Sequence, residues 1–192
     1  MYTRWTYLGL PAVVDRSKKD LLSFIKERIL SKIKCWKGKF LSQAGKEILL
    51  KSFLAPLPSY ALSCFQLPDG LCKEITSLFV KFWWGHIEEK QKLHIERWDK
   101  LCEPKFRGGL GFRDLKAFNM DLLAKLAWRI LIEPNLLASQ VLKSKYFPDK
   151  SLLQAQVSNF ASWIWKSILW GRDLLCKGVR WCVSYGTDVN VW

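Results

Sequence analysis

Carboxylates are scarce in this chain and nowhere clustered. Against 31 Lys and Arg there are 17 Asp and Glu, and neither Asp-Asp nor Asp-x-Asp occurs. The only adjacent acids, Glu88-Glu89, sit among lysines and read as a solvated loop. Nucleotidyl transfer and RNA cleavage both need carboxylates gathered around paired Mg²⁺ ions about 4 Å apart, so the sequence predicts no catalytic residue for either. The two histidines, His86 and His94, leave little choice of base, and no Gly-x-Ser-x-Gly is present. Six cysteines (35, 64, 72, 102, 176 and 182) form no Cys-x-x-Cys pair. A structural zinc site needs closely spaced ligand pairs. The expectation is therefore free, largely buried thiols in a reducing compartment, with no metal and no cofactor.

Long apolar runs are missing as well. Residues 52–68 lack charge, but they number only 17 and include three prolines, too short and too broken for a membrane span. The stretch from Leu8 to Val14 is short, interrupted by Pro11 and preceded by one Arg, unlike a secretory signal. These features predict an intracellular protein that is not secreted and takes no membrane partner, with nucleus and mitochondrion both open. Gly108-Gly109-Leu110-Gly111 lacks the third glycine of a dinucleotide fingerprint and the Gly-Lys-Ser/Thr ending of a phosphate loop. It reads as a flexible turn.

Positive charge and tryptophan are what the chain has in excess. The net charge is +14 with pI ≈ 9.6, and there are 11 Trp. Residues 1–51 hold 12 basic and four acidic side chains, leaving +8. A surplus of this kind attracts polyanions, nucleic acid foremost. Phosphate contact needs Lys and Arg but reads no sequence.

The periodicity is helical. Leu22, Ile25, Ile29, Ile33 and Trp36 form one apolar stripe, so a helix is predicted over 17–36, capped by Ser17 and stopped by Gly38. A second, over 43–55, starts at Ser42 with Ile48, Leu49, Ser52 and Phe53 inward, and Pro56 and Pro58 end it. A short helix over 59–65 precedes a long one that Asp69 can cap, reaching Trp84 with Leu71, Ile75, Leu78 and Phe82 as its stripe. Further helices are predicted at about 119–132, 135–146 and 162–177. In the tail, Trp181, Val183 and Tyr185, then Val189 and Val191, alternate with polar residues around Gly186-Thr187, the pattern of a β-hairpin. The fold class is thus mainly α, with a short C-terminal β-hairpin.

A series of short motifs runs through the chain in a fixed order: Tyr7-Leu8-Gly9-Leu10-Pro11, Trp36-Lys37-Gly38-Lys39-Phe40-Leu41-Ser42-Gln43-Ala44-Gly45-Lys46, Phe82-Trp83-Trp84-Gly85, Gly108-Gly109-Leu110-Gly111-Phe112-Arg113-Asp114-Leu115 and Leu123-Ala124-Lys125-Leu126-Ala127-Trp128-Arg129. Together they resemble the region after the palm in plant LINE-type (non-LTR) reverse transcriptases, over nearly the whole chain. The resemblance implies the end of the palm and a thumb-like helical bundle over 1–84, then a helical connector over 85–192. It places the catalytic palm of such an RNA-directed DNA polymerase ahead of Met1 and a Cys/His zinc-binding region beyond Trp192. It also implies a thumb that lies along a primer–template duplex or hybrid. Lys34, Lys37, Lys39, Lys46 and Lys51 are the candidate phosphate contacts. Trp36 among them either stacks on sugar or base or closes the apolar stripe as core.

The expectation for the isolated chain is non-sequence-specific nucleic-acid binding without enzymatic activity. A protein-interaction module, its exposed aromatic surface docked on a separate polymerase part or other partner, is the alternative from a different class. A decayed reading frame is the third.

Overall fold

The computed structural model describes residues 6–7, 10–11, 18–36, 41–85, 95–157 and 160–180, with side chains from residue 23 onward. The protein is mainly helical. The predicted hairpin over 181–192 lies outside the described residues, as do the Ser17 cap and the Gly38 stop.

Two short strands, β1 (Thr6–Tyr7) and β2 (Leu10–Pro11), pair antiparallel in the register Thr6↔Pro11 and Tyr7↔Leu10. Helix α1 spans Lys18–Trp36. Its stripe packs as its spacing predicts: Ile25 and Ile29 are buried, and Ile33 and Trp36 are partly buried against them. Ser42 caps α2 (Gln43–Leu49) by accepting the amide of Gly45 at 3.1 Å.

The second helix departs from expectation in its phase. After Leu49 the chain widens into a π-helical turn, Leu50–Leu54, closed by the amide of Ala55 on the carbonyl of Leu50 at 2.9 Å. Leu50 and Leu54 are buried, whereas Ile48 and Phe53 are 60% and 55% exposed. The inward face is the one carrying Lys46, Glu47, Leu50, Lys51 and Leu54. Aliphatic lysine stems and an ion pair fill space that the stripe reading gave to Ile48, Leu49, Ser52 and Phe53.

Helix α3 (Ser59–Cys64) leads to α4 (Asp69–Trp84), α5 (Trp98–Cys102), α6 (Leu115–Ile132), α7 (Leu137–Tyr146) and α8 (Trp163–Gly178). Pro68, not Asp69, occupies the cap position of α4; Asp69 sits in the first turn and pairs with Lys116 at 2.9 Å. Phe79 and Trp83 are buried in place of Leu78 and Phe82, which lie half-buried on the flank of a wider apolar face.

The helices enclose two cores. The first gathers Ile29, Leu54, Leu62, Ile75, Phe79 and Phe112 with others from α1 through the start of α6, on both sides of residue 84. The second gathers Ala127, Ile130, Phe147, Leu152, Trp165 and Ile168. Fully buried Trp165 stacks with the rings of Tyr146 (4.6 Å, 4°) and Phe147 (5.4 Å, 12°). Helices α6 and α8 contribute to both cores and cross closely: a Cβ on Gly171 would come within 2.4 Å of the Leu123 backbone.

Two polar side chains fix the turn between α3 and α4. Asn119, 1% exposed, accepts from the Leu67 amide (2.9 Å) and donates to the carbonyls of Leu62 (2.6 Å) and Phe65 (2.9 Å). Ser167 accepts from the Gln66 amide at 2.8 Å and donates to the Trp163 carbonyl at 2.8 Å. Backbone groups that the turn would otherwise leave buried and unpaired are thereby satisfied.

Candidate nucleic-acid interface

Of the basic residues singled out in the sequence, Lys34, Lys46 and Lys51 lie within the described residues. Lys34 is exposed in the last turn of α1, with no acidic partner among the described residues. Lys37 and Lys39 lie outside the described residues. Lys46 donates to the Trp83 carbonyl at the end of α4 (3.2 Å). Lys51 donates to Glu47 (2.7 Å) and to the Leu110 carbonyl (2.5 Å), and its ammonium stands 5.7 Å from the centre of the Phe112 ring. Trp36 is half-buried and packs edge-on to exposed Phe53 (6.0 Å) and tilted against Phe82 (5.8 Å) at the margin of the first core.

These contacts join the end of α1 to α2, the end of α4 and the segment after α5. Glu47 is the hub. It pairs with Lys51 at 2.7 Å and with Lys105 at 3.3 Å. The Lys51 hydrogen bond holds its carboxyl below the ordinary carboxylate range, with burial opposing and Lys105 adding to the effect.

The segment after α5 contributes what sequence reasoning missed. Lys105, Phe106 and Arg107 form a short 3-10 turn. Phe106 is 84% exposed, with the Arg107 guanidinium 5.6 Å from its ring centre. The glycine run that follows is pinned rather than flexible. The amides of Leu110 and Phe112 both reach the Leu101 carbonyl, at 3.0 and 3.2 Å, and that of Gly111 reaches Glu103 at 2.8 Å. A Cβ on Gly109 would fall 2.0 Å from the Glu103 oxygen, and Gly111 has φ +70, so each needs glycine for its own reason. Basic residues alternating with an exposed aromatic at a glycine-rich turn were visible in the sequence. Their proximity to Lys51 was not.

Lys34, Lys105, Arg107 and Arg113 are exposed, and with the anchored Lys46 and Lys51 they make up the basic end, which also carries Glu47, Glu103 and Asp114. Exposed cations beside an exposed ring can hold phosphates and stack on bases or sugars. Among the described residues no group of three or more His, Cys, Asp and Glu could hold a metal ion, and no helix is long and apolar enough to cross a membrane. Of the five described cysteines all are free; Cys72 is buried, Cys64 and Cys102 are half-buried, and Cys35 and Cys176 are exposed, so the thiols are less sheltered than expected.

The fold is thus that of a mainly α protein. Over 137 residues the chain is 45% identical to an uncharacterized mitochondrial protein of Arabidopsis thaliana, an alignment that covers 71% of this chain and 89% of that one. The chain belongs to the family of that mitochondrial protein. It is also 36% identical over 186 residues to an Arabidopsis protein named "Putative ribonuclease H protein", covering 95% of this chain and 30% of the other. It therefore spans less than a third of that longer relative. No protein-family model and no solved structure matches the chain.

Proposed function

We propose that this is a plant retrotransposon-derived chain, corresponding to the thumb and connector that follow the palm of a LINE-type reverse transcriptase, and that it binds nucleic acid without reading sequence. The basic end carries this reading. Lys105 and Arg107 flank exposed Phe106, and Lys34 is exposed at the end of α1, in a protein of net charge +14. Duplex or hybrid is the substrate class, because dispersed cations track a phosphate backbone. Similarity to part of a protein whose name refers to ribonuclease H supports a retroelement origin. The mitochondrial relative supports an intracellular, mitochondrial setting over a nuclear one.

The chain alone is not an enzyme in this reading, since its acids are dispersed in sequence. Two assays on the full chain test the proposal. Duplex and RNA–DNA hybrid should bind with similar affinity across unrelated sequences, and primer–template should not be extended with Mg²⁺ or Mn²⁺. Binding confined to one sequence, or extension abolished by mutating an aspartate of this chain, would overturn it.

A second reading has its own observation. Ile48 and Phe53 are more than half exposed on α2 and the turn after it, an apolar surface of the kind that docks on protein. Failure of every nucleic acid to bind would bring this interaction-module reading forward.

A further inference from the structure

Beside Lys51, the π-helical turn, α4, α5 and the Gly111–Arg113 segment enclose a cavity of about 180 Å³. Its floor is apolar, made by Leu50, Ala55 and Phe79, all buried. Two rings border it, Trp98 and buried Phe112, which stack on each other with centroids 5.0 Å apart and 15° from parallel. Its remaining lining is cationic, from Lys51 and Arg113.

Size narrows the ligand. Pockets that enclose drug-sized molecules run to about 300–1,000 Å³, so this one suits a single ring system. An apolar lining with the half-buried Trp98 ring at its border suits an aromatic heterocycle. Charge narrows it further. No carboxylate lines the cavity. Asp114, next to Arg113, is turned to the amides of Lys116 and Ala117 (2.9 and 3.5 Å), and Glu47 is held by Lys51 and Lys105. Lys51 is a fixed charge, anchored by two hydrogen bonds. Arg113 is exposed, pairs with no carboxylate among the described residues, and rests its guanidinium 4.4 Å from the centre of the Phe118 ring. A planar guanidinium so placed can turn toward a phosphate.

A flat ring joined through a short linker to an anion is a nucleotide. We propose that the cavity takes one unpaired nucleotide of a bound strand, its base packed beside Trp98 and its phosphate at Arg113. This rests on the nucleic-acid reading above and adds a preference that the reading does not contain. The protein should favour a duplex with an unpaired nucleotide over a fully paired one.

The test uses the full chain and two probes, a paired duplex and the same duplex with one bulged adenosine nucleotide. The readout is the ratio of their Kd values at one salt concentration. Base–aromatic stacking corresponds to about 5- to 150-fold in affinity, so the bulged probe should bind tighter by a factor in that range. Trp98→Ala should bring the ratio to about 1. Because Trp98 also packs on Phe112, Arg113→Gln is the second variant and should lower the ratio as well, with a fall in melting temperature no larger than loss of its contact with the Phe118 ring accounts for. Equal binding of the two probes by the unaltered protein would overturn the cavity's role and leave duplex binding intact. A preference that survives both variants would overturn it too. Failure of both probes to bind would overturn the nucleic-acid reading itself.

Discussion

Lys51 donates to the carbonyl oxygen of Leu110, 59 residues further along the chain, at 2.5 Å. Through this bond and its partner on Glu47, the second helix holds the glycine-rich turn that forms one wall of the basic end. A lysine on a short helix thus acts first as a strut. Its side chain is about one-third exposed, so it is neither a solvated charge nor a buried one.

Lys51→Met should keep the stem and lose the strut. It leaves the Leu110 carbonyl without its donor and Glu47 with Lys105 alone, and the expected cost is about 1–2 kcal/mol. The pH dependence should change with it. A carboxyl held below its ordinary value contributes stability that is present above that value and is lost as pH falls through the lowered one. Urea unfolding should therefore show a smaller loss between pH 6 and pH 3 in Lys51→Met than in the parent. An unchanged acid-side loss would show that Glu47 gains nothing from Lys51.

Asn119 is the polar residue on which the fold depends most. Asn119→Leu would leave one amide and two carbonyls of the turn between α3 and α4 unpaired in the interior, costing about 3 kcal/mol or more. Asn119→Asp keeps the acceptor for Leu67 but loses both donated bonds and buries a charge, so it should be at least as damaging. Thermal melts of the two variants decide this. A cost below about 1 kcal/mol for Asn119→Leu would mean that water replaces the amide.

Two glycines on helices should respond in opposite directions. Gly171→Ala places a methyl into the Leu123 backbone, which cannot move without parting α6 from α8, and should cost about 3 kcal/mol. Gly70→Ala meets nothing within 4 Å in the first turn of α4 and should stabilise by up to about 1 kcal/mol. Chemical denaturation with equal m-values would give both numbers. Equal effects at the two positions would contradict the close crossing of α6 and α8.

Much of the fold was legible because helices announce themselves by period. The stripe of α1, the span of α4, and the last three long helices follow from apolar spacing, prolines and capping residues. The second helix was legible in extent and illegible in phase. Ile48, Leu49, Ser52 and Phe53 make the better apolar stripe, and periodicity cannot foresee that lysine stems and an ion pair will face the glycine-rich turn instead. The π-helical turn and the pinned Gly108–Gly111 run escaped for the same reason: each is set by partners distant in sequence. Asn119 gave no signal either, since a lone amide within an apolar helix reads as a surface residue. Of the proposed phosphate contacts, proximity in sequence did not show that Lys46 and Lys51 are held by backbone carbonyls, or that Lys105 shares Glu47 with Lys51.

The thiols should separate by environment. Burial, with Asp114 and Asp99 adding to it, pushes the Cys102 thiol up to about 11, and burial also raises Cys72. A thiol whose pKa rises on folding adds stability that is present below its unfolded value near 9 and is lost as pH rises from there toward 11. At pH 8 an alkylating reagent followed by mass spectrometry should find Cys35 and Cys176 modified first, with Cys72 and Cys102 modified only after unfolding. Early modification of Cys102 would show that this part of the first core opens readily.

The central claim is that the basic end, and not net charge at large, holds nucleic acid. The most direct measurement is the slope of log K against log salt for a duplex, compared between two variants. With four to six phosphates neutralised, the parent slope should be roughly −4 to −5. Changing Lys34, Lys105, Arg107 and Arg113 to Gln should flatten it by up to about 4 units. Changing Lys143, Lys150 and Lys177, exposed on α7, α8 and the loop after α7, should leave it nearly unchanged. Equal flattening by both sets, or a parent slope near zero, would contradict the account.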